Sequence, residues 1–523
     1  MITFLDYGAG NVRSVINAIE TLGEKVEIVR APDDILSAEK LVFPGVGAFG
    51  SMMNILNNNN YVKPLLAYLR SGRPFLGICL GLQALFEYSE EAPGVEGLGF
   101  ILGSVKRFEI DYSVPHIGWN GLNIKQPSLI FNGLNGVEKL YFVHSYHVVP
   151  ENDEVVLTTT DYGCEFVSSI QLGNIIATQF HPEKSGSAGL QILKNFLEAT
   201  GKQTKPVRPE QTTRLAKRII ACLDVRANDQ GDLVVTKGDQ YDVREKGAVR
   251  NLGKPVELAR YYYQEGADEI TFLNITGFRD FPLEDMPMLE VLKQTSKNVF
   301  VPLTIGGGIR DYTDKNGREY KALEVASEYF RSGADKISIG SDAVLIVEEY
   351  LKTGKERGRS SIEEISRVYG NQAVVISIDP RRVYVNSPDE VEHQVMETTI
   401  SGPNGERYCW YQCTIKGGRE GRDLDAITLA QVCENLGAGE ILLNCIDRDG
   451  TNLGFDLELI NAVAEAVSIP VIASSGAGGA EHFYEVFTQT EAESALAAGI
   501  FHRKEVPIGV VKKHLTGKVE VRL

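Results

Sequence analysis

Short apolar runs recur along the chain, and between them apolar residues fall at helical spacing. Over residues 1–200, runs such as Lys40–Phe43 and Phe75–Ile78 alternate with helical stretches. That rhythm predicts an open α/β sheet domain. It stops at Gly201–Thr213, GKQTKPVRPEQTT, a polar, proline-bearing stretch without periodicity that predicts a linker. From Arg214 a longer alternation begins. Its strand candidates are Arg218–Val225, Glu269–Ile275, Phe300–Ile305, Lys336–Gly340, Ala373–Ile378, Glu440–Ile446, Pro470–Ser474 and Ser494–Gly499. Most lead into helical patterns such as Pro255–Gln264 and Leu457–Ala466. Eight such units across residues 214–523 predict a (β/α)8 barrel with insertions, with a doubly wound open sheet as the alternative.

An internal repeat favours the barrel. Ile219–Val225 answers Val374–Pro380, the segment from Gly266 answers that from Gly437, and Val301–Gly308 answers Ile469–Gly478. Strands 1 to 4 thus read as a copy of strands 5 to 8. The two halves differ in loop length, and the widest loop, about 381–423, follows strand 5.

With 523 residues the chain exceeds one core, in line with two domains and a linker. A formal charge of −17 argues against nucleic acid or an anionic membrane as partner, and no run is apolar enough to span a bilayer. Seven scattered cysteines suggest a reducing compartment, and Cys409 with Cys413, a lone C-x3-C, suggests a hairpin core rather than zinc. Neither a metal nor an organic cofactor is expected, because no ligand cluster or dinucleotide fingerprint occurs. MITFLDYG starts a strand at once, so no targeting segment is expected on the chain as it stands.

The chemistry starts at GICLGLQ, Gly77–Gln83. A strand pattern runs into Cys79 and a helical pattern leaves it, with glycines at 77 and 81: the thiol form of a nucleophile elbow. A following helix would place its positive end at the thiolate. In QFHPEKSG, His181 and Glu183 are spaced i, i+2, which on an extended segment points both to one face. Glutamate can then orient the imidazole, and the imidazole can take the thiol proton.

These residues resemble the class I glutamine amidotransferases, in which such a triad strips ammonia from glutamine. PGVGAFG fits, since the backbone N–H groups around Gly45, Val46 and Gly47 are free to face a tetrahedral oxyanion. YFVHSYH and GCEFVSSI match family strands near the glutamine pocket, and the resemblance places Gln83, Ser145 and Tyr146 there. The other histidines, His144 among them, read as structural.

In a barrel, chemistry lies at the C-terminal ends of the strands. The repeat puts Asp224 and Asp379 there, opposite each other across the mouth, as suits general acid and base work. Glycine-rich turns follow strands 3 (Gly307, Gly308) and 7 (Gly476). Strand 4 ends at Gly340-Ser341 and strand 8 at Gly499, while Gly450-Thr451 follows strand 6. Backbone amides there predict a ligand with a phosphate at each end. Lys237, after strand 1, is a candidate cation for the reacting region.

The segments LAKRIIACLDV, VVTKGD, FVPLTIGGGIRD, GADKISIGSDA, GAGEILLNCIDRDGT and IASSGAG resemble the cyclase of imidazole glycerol phosphate synthase. The glutaminase-first order resembles the fused form of plants and fungi. The resemblance implies a reaction in which glutamine and an open-chain ribulosyl aminoimidazole carboxamide bisphosphate (PRFAR) give imidazole glycerol phosphate, an aminoimidazole carboxamide ribotide and glutamate. It also implies that Asp224 and Asp379 are the cyclase acid and base, without saying which acts when. A fused monomer is expected, in a plastid for a plant protein and in the cytosol for a fungal one. An amidotransferase serving another phosphosugar barrel and a non-catalytic binding protein are the rival readings.

Arg218, Glu269, Lys336 and Glu440 open strands 1, 2, 4 and 6, at the barrel floor. Two cations and two anions there can form a neutral plug, and the resemblance makes them a gate facing the glutaminase. At ~3.3 Å per residue, the six steps from Arg218 to Asp224 give a depth on the order of 20 Å. The expectation is a glutaminase docked on the floor, with ammonia passing the ring.

Overall fold

The computed structural model describes residues 1–8, 10–198, 213–236, 251–275, 283, 286–354 and 358–523, with the backbone alone at 244–245 and 248–249. Of the expected linker only Thr213 is described. Its backbone and hydroxyl bond Asp161, at 3.3 and 3.0 Å.

In the first half, Ile2–Phe4, Leu41–Phe43, Phe75–Ile78 and Ile175–Thr178 pair in parallel, and an antiparallel extension through Glu165–Leu172 and Tyr146–Pro150 completes a mixed sheet. Because Leu41–Phe43, Phe75–Ile78 and Ile175–Thr178 are neighbours running the same way, the loops beginning at Pro44, Cys79 and Gln179 leave one edge side by side. Topology alone thus gathers segments that lie a hundred residues apart.

In the second half, Arg218–Ala227, Glu269–Asn274, Leu303–Gly306, Lys336–Ile339, Val374–Ile378, Glu440–Asn444, Val471–Ser474 and Ser494–Ala497 pair in that order. The last pairs back to the first, Arg218 against Ser494. This is a closed parallel barrel, and the open-sheet alternative falls. Its interior holds Ile220, Val375, Leu442, Ile472 and Leu496. Strand 3 begins at Leu303, not Phe300, because Pro302 has no N–H to give a ladder. Phe300 instead offers its carbonyl to the Gly186 N–H of the other half. The wide loop after strand 5 forms its own small sheet from Pro380–Val385, Met396–Glu397, Tyr408–Ile415 and Glu420–Asp425, with Cys409 and Cys413 buried on it. No described helix is long and apolar enough to cross a membrane.

The first half sits on the barrel floor. A ribbon of His116–Asn120 against Leu140–His144 turns Ile117, Trp119 and Tyr141 into the core shared with the barrel. The Trp119 indole donates to the Asp268 carbonyl (3.1 Å), Lys184 pairs with Asp335 (2.6 Å) and Asn11 donates to Asp335 (2.7 Å). Asp268 and Asp335 each precede a ring residue.

Candidate active sites

Cys79 adopts φ 53°, ψ −105°, a conformation that costs a non-glycine residue energy. Its neighbours must be small: a Cβ on Gly81 would stand 2.1 Å from the Phe43 carbonyl oxygen, and one on Gly45 2.3 Å from the Leu80 Cβ. The helix that follows is a single turn, Leu80–Gln83, so a helix dipole is a minor influence on the thiol. The imidazole matters more. His181 Nδ1 lies 2.8 Å from Glu183 Oε1, with both residues buried. Their alignment does not come from an extended segment: His181 is extended, but Glu183 lies in a 3-10 turn, Pro182–Lys184, that folds its carboxylate back.

Burial opposes a charged His181. The Glu183 and Cys79 charges oppose burial, and the balance lifts the imidazole to about 10. Burial keeps His144 down at about 3 and His116 well below its ordinary value, so neither suits a base. The two rings bond each other at 3.2 Å, and His144 reaches the Tyr146 carbonyl, which makes them structural.

Gln83 holds the Tyr146 carbonyl (3.1 Å) and Gln179 (3.2 Å), and Gln179 donates to the Cys79 sulfur at 3.4 Å. Gln179 carries no periodic signal, and sequence reasoning missed it. Ser145 does not turn toward the thiol; its hydroxyl donates to Asn371 of the barrel at 3.2 Å. Glu91, also missed, is pushed by burial to about 7 although the Phe49 N–H bonds it. It lies within electrostatic range of Tyr7 and Tyr146.

The polar groups of the Gly45–Val46 peptide are paired. The Gly45 carbonyl accepts the Leu80 N–H at 3.4 Å, and the Val46 N–H donates to the Tyr7 hydroxyl at 3.1 Å. The same hydroxyl donates to the Val46 carbonyl at 2.8 Å, and Gly47 takes φ 128°.

At the barrel mouth a cavity of about 830 Å³ is lined by Asp224 and Asp379 on opposite walls. Gly307, Gly308, Gly340 and Ser341 line one side; Gly450, Gly476 and Gly499 line the other. A Cβ on Gly307 would meet the Asn274 carbonyl oxygen at 2.2 Å, which enforces glycine there. Thr451 is not on the wall, because its hydroxyl folds back onto the Arg448 carbonyl (2.9 Å). Lys237 lies outside the described residues. Arg226, Arg310, Lys416, Arg419 and Arg503 bring five cations to the wall that sequence reasoning did not assign. The K-G-G-R tip of the wide loop was a signal for two of them. Asn444 was also missed. Its amide nitrogen donates to Asp379 Oδ1 and to the Ser377 hydroxyl, each at 2.9 Å.

On the floor, Arg218 bonds Glu269 (2.9 Å) and Glu440, and Lys336 bonds Glu269 (2.7 Å) and Glu440 (2.6 Å). All four are fully buried, a closed ring of alternating charge. Burial pushes the Glu440 carboxyl up, but Arg218 and Lys336 hold it below its ordinary value. Tyr141 stands between this ring and the thiol site: its phenol feels Glu269, Arg218 and Glu440, and its carbonyl accepts the His181 N–H at 2.9 Å.

Residues 3–200 match the family model for glutamine amidotransferase class-I, and residues 218–507 that for histidine biosynthesis protein. Fold and site thus define a glutamine amidotransferase fused to a (β/α)8 barrel enzyme. The chain is 60% identical over 531 aligned residues to the chloroplastic imidazole glycerol phosphate synthase hisHF of Arabidopsis thaliana, covering 100% of this chain and 90% of that protein. It is 55% identical to the hisHF proteins of Schizosaccharomyces pombe (98% of both chains) and Emericella nidulans (98% of this chain, 97% of that one). The chain belongs to the fused imidazole glycerol phosphate synthases of histidine biosynthesis, bifunctional enzymes with glutaminase and cyclase halves.

Proposed function

We propose that Cys79 attacks the glutamine amide, that His181 takes the thiol proton and returns it to the leaving nitrogen, and that Glu183 orients the imidazole. The Leu80 and Val46 N–H groups serve the oxyanion once the Gly45–Val46 peptide turns over. Glu91, titrating near pH 7, suits the α-ammonium that glutamine brings. Ammonia then passes the Arg218–Glu269–Lys336–Glu440 ring and travels up the barrel to PRFAR, whose two phosphates rest on the glycine turns at opposite sides of the mouth. Asp379 and Asp224 are its base and acid, and Lys237 is a further cation for the reacting region. Asn444 supports Asp379 as the group that starts ionised, since a donated N–H stabilises a carboxylate over its acid. The ammonia nitrogen adds to the ketone carbon, its surplus proton goes to Asp379, and the carbonyl oxygen takes a proton from Asp224. Residues 1–200 act as glutaminase and 214–523 as cyclase, joined by 201–213. We read the protein as a monomer, placed in a plastid if it is a plant protein and in the cytosol if fungal.

The observation that carries this reading is the contact of the triad's own backbone with Tyr141, whose phenol lies within electrostatic range of the closed charge ring. Cys79→Ala tests it. Synthesis should fail with glutamine and survive with ammonium salts; synthesis that persists with glutamine would remove Cys79 from the glutaminase role.

A further inference from the structure

One phenol controls both sides of Val46. The Tyr7 oxygen accepts the Val46 N–H (3.1 Å) while its proton goes to the Val46 carbonyl (2.8 Å), a pairing that only a group both donor and acceptor can make. Tyr7 is buried, which drives its phenol further from ionisation, so it keeps that proton. Its ring is fixed edge-on against Phe43, at 6.0 Å and 90°, and Phe43 ends the strand that leads into the loop. The hydroxyl therefore stands at a set height over Val46.

On the other side of the peptide, the Gly45 carbonyl fills the Leu80 N–H, the donor next to the nucleophile. Both candidate oxyanion donors are thus taken. A buried N–H needs a partner in either orientation. Facing Tyr7 it has a neutral one, whereas facing a thiolate adduct it has a charged one, which is the stronger bond. The peptide is a two-position element, and the phenol weights one position.

We propose that the Tyr7 hydroxyl is a latch that holds the Val46 N–H away from the thiol, making Tyr7 a positioning residue of the glutaminase. This rests on the reading above, that Val46 and Leu80 supply the oxyanion donors. Without the hydroxyl, the resting balance moves toward the competent peptide. Glutamine hydrolysis with an empty barrel then rises, and if a ligand in the barrel acts by turning the same peptide, the gain it brings shrinks by the same factor. Of the two bonds only the one from the Val46 N–H belongs to the peptide that turns, and leaving that buried donor unpaired sets the change on the order of tenfold.

The test uses full-length Tyr7→Phe, with Tyr7→Leu as a second variant lacking the hydroxyl. Two readouts are taken with and without saturating imidazole glycerol phosphate: glutamate release, and the affinity of an aldehyde analogue of glutamine that forms a hemithioacetal on Cys79. We expect the barrel ligand to tighten aldehyde binding in the wild type, and the variants to bind it tightly and release glutamate about tenfold faster with no barrel ligand. If the barrel ligand does not tighten the aldehyde in the wild type, the peptide-switch reading itself fails. If it does, but both variants keep wild-type basal release and affinity, the latch alone is overturned.

Discussion

Lys336→Met removes one of two cations from a ring whose four members are fully buried. Methionine preserves the bulk, but the ring goes from neutral to a net negative charge, and Glu269 and Glu440 face each other across the lost ammonium. Removing one partner of a buried pair costs about 3–5 kcal/mol. At about 2 °C per kcal/mol in a domain of this size, barrel melting should fall by roughly 6–10 °C. The pH dependence carries a sign. In the wild type Glu440 is held below its ordinary value, so its stabilisation is present above the unfolded pKa and is lost as acid protonates it. In the variant a proton on the carboxylate pair relieves repulsion, so the deficit grows as pH rises and closes as pH falls. Catalysis has its own readout. If the ring meters ammonia, the ratio of glutamate formed to imidazole product should rise clearly above one in Lys336→Met at neutral pH. A variant with the expected melting loss and an unchanged ratio would leave the ring a structural plug and refute the gate.

Two further outcomes follow from the sites. Asn444→Leu, which installs the residue that the repeat places at position 273, should move the acid limb of ammonia-dependent synthesis up by about one pH unit at fixed free ammonia, with kcat falling more than KM; Asn444→Thr, which keeps a donor, should restore most of the profile. Glu91 takes up a proton near pH 7, so the KM for glutamine should climb as pH falls through 7 in the wild type and stay flat in Glu91→Gln.

Much of this was legible in the sequence because it depends on where a residue sits along its own element. Cys79 follows a strand between two glycines, Asp224 lies in the C-terminal part of strand 1, Asp379 directly follows strand 5, and the ring residues begin strands 1, 2, 4 and 6. What escaped depends on register between distant segments. Tyr7 meets Val46 because their strands are neighbours in the sheet, and Asn444 meets Asp379 because strands 5 and 6 pair Ile378 with Leu443. The assumed extended His181–Glu183 geometry gave the right contact for the wrong reason, as the proline after His181 starts a turn. Thr451 stands off the cavity lining, and its hydroxyl is satisfied within its own short polar turn.

Ammonia made at Cys79 should reach the barrel mouth without mixing with solvent. Amide-15N glutamine supplied together with a large excess of unlabelled ammonium tests it most directly. The glutamine-derived nitrogen of the imidazole product should stay almost wholly 15N at pH 7. A product whose label is diluted in proportion to external ammonia would contradict it.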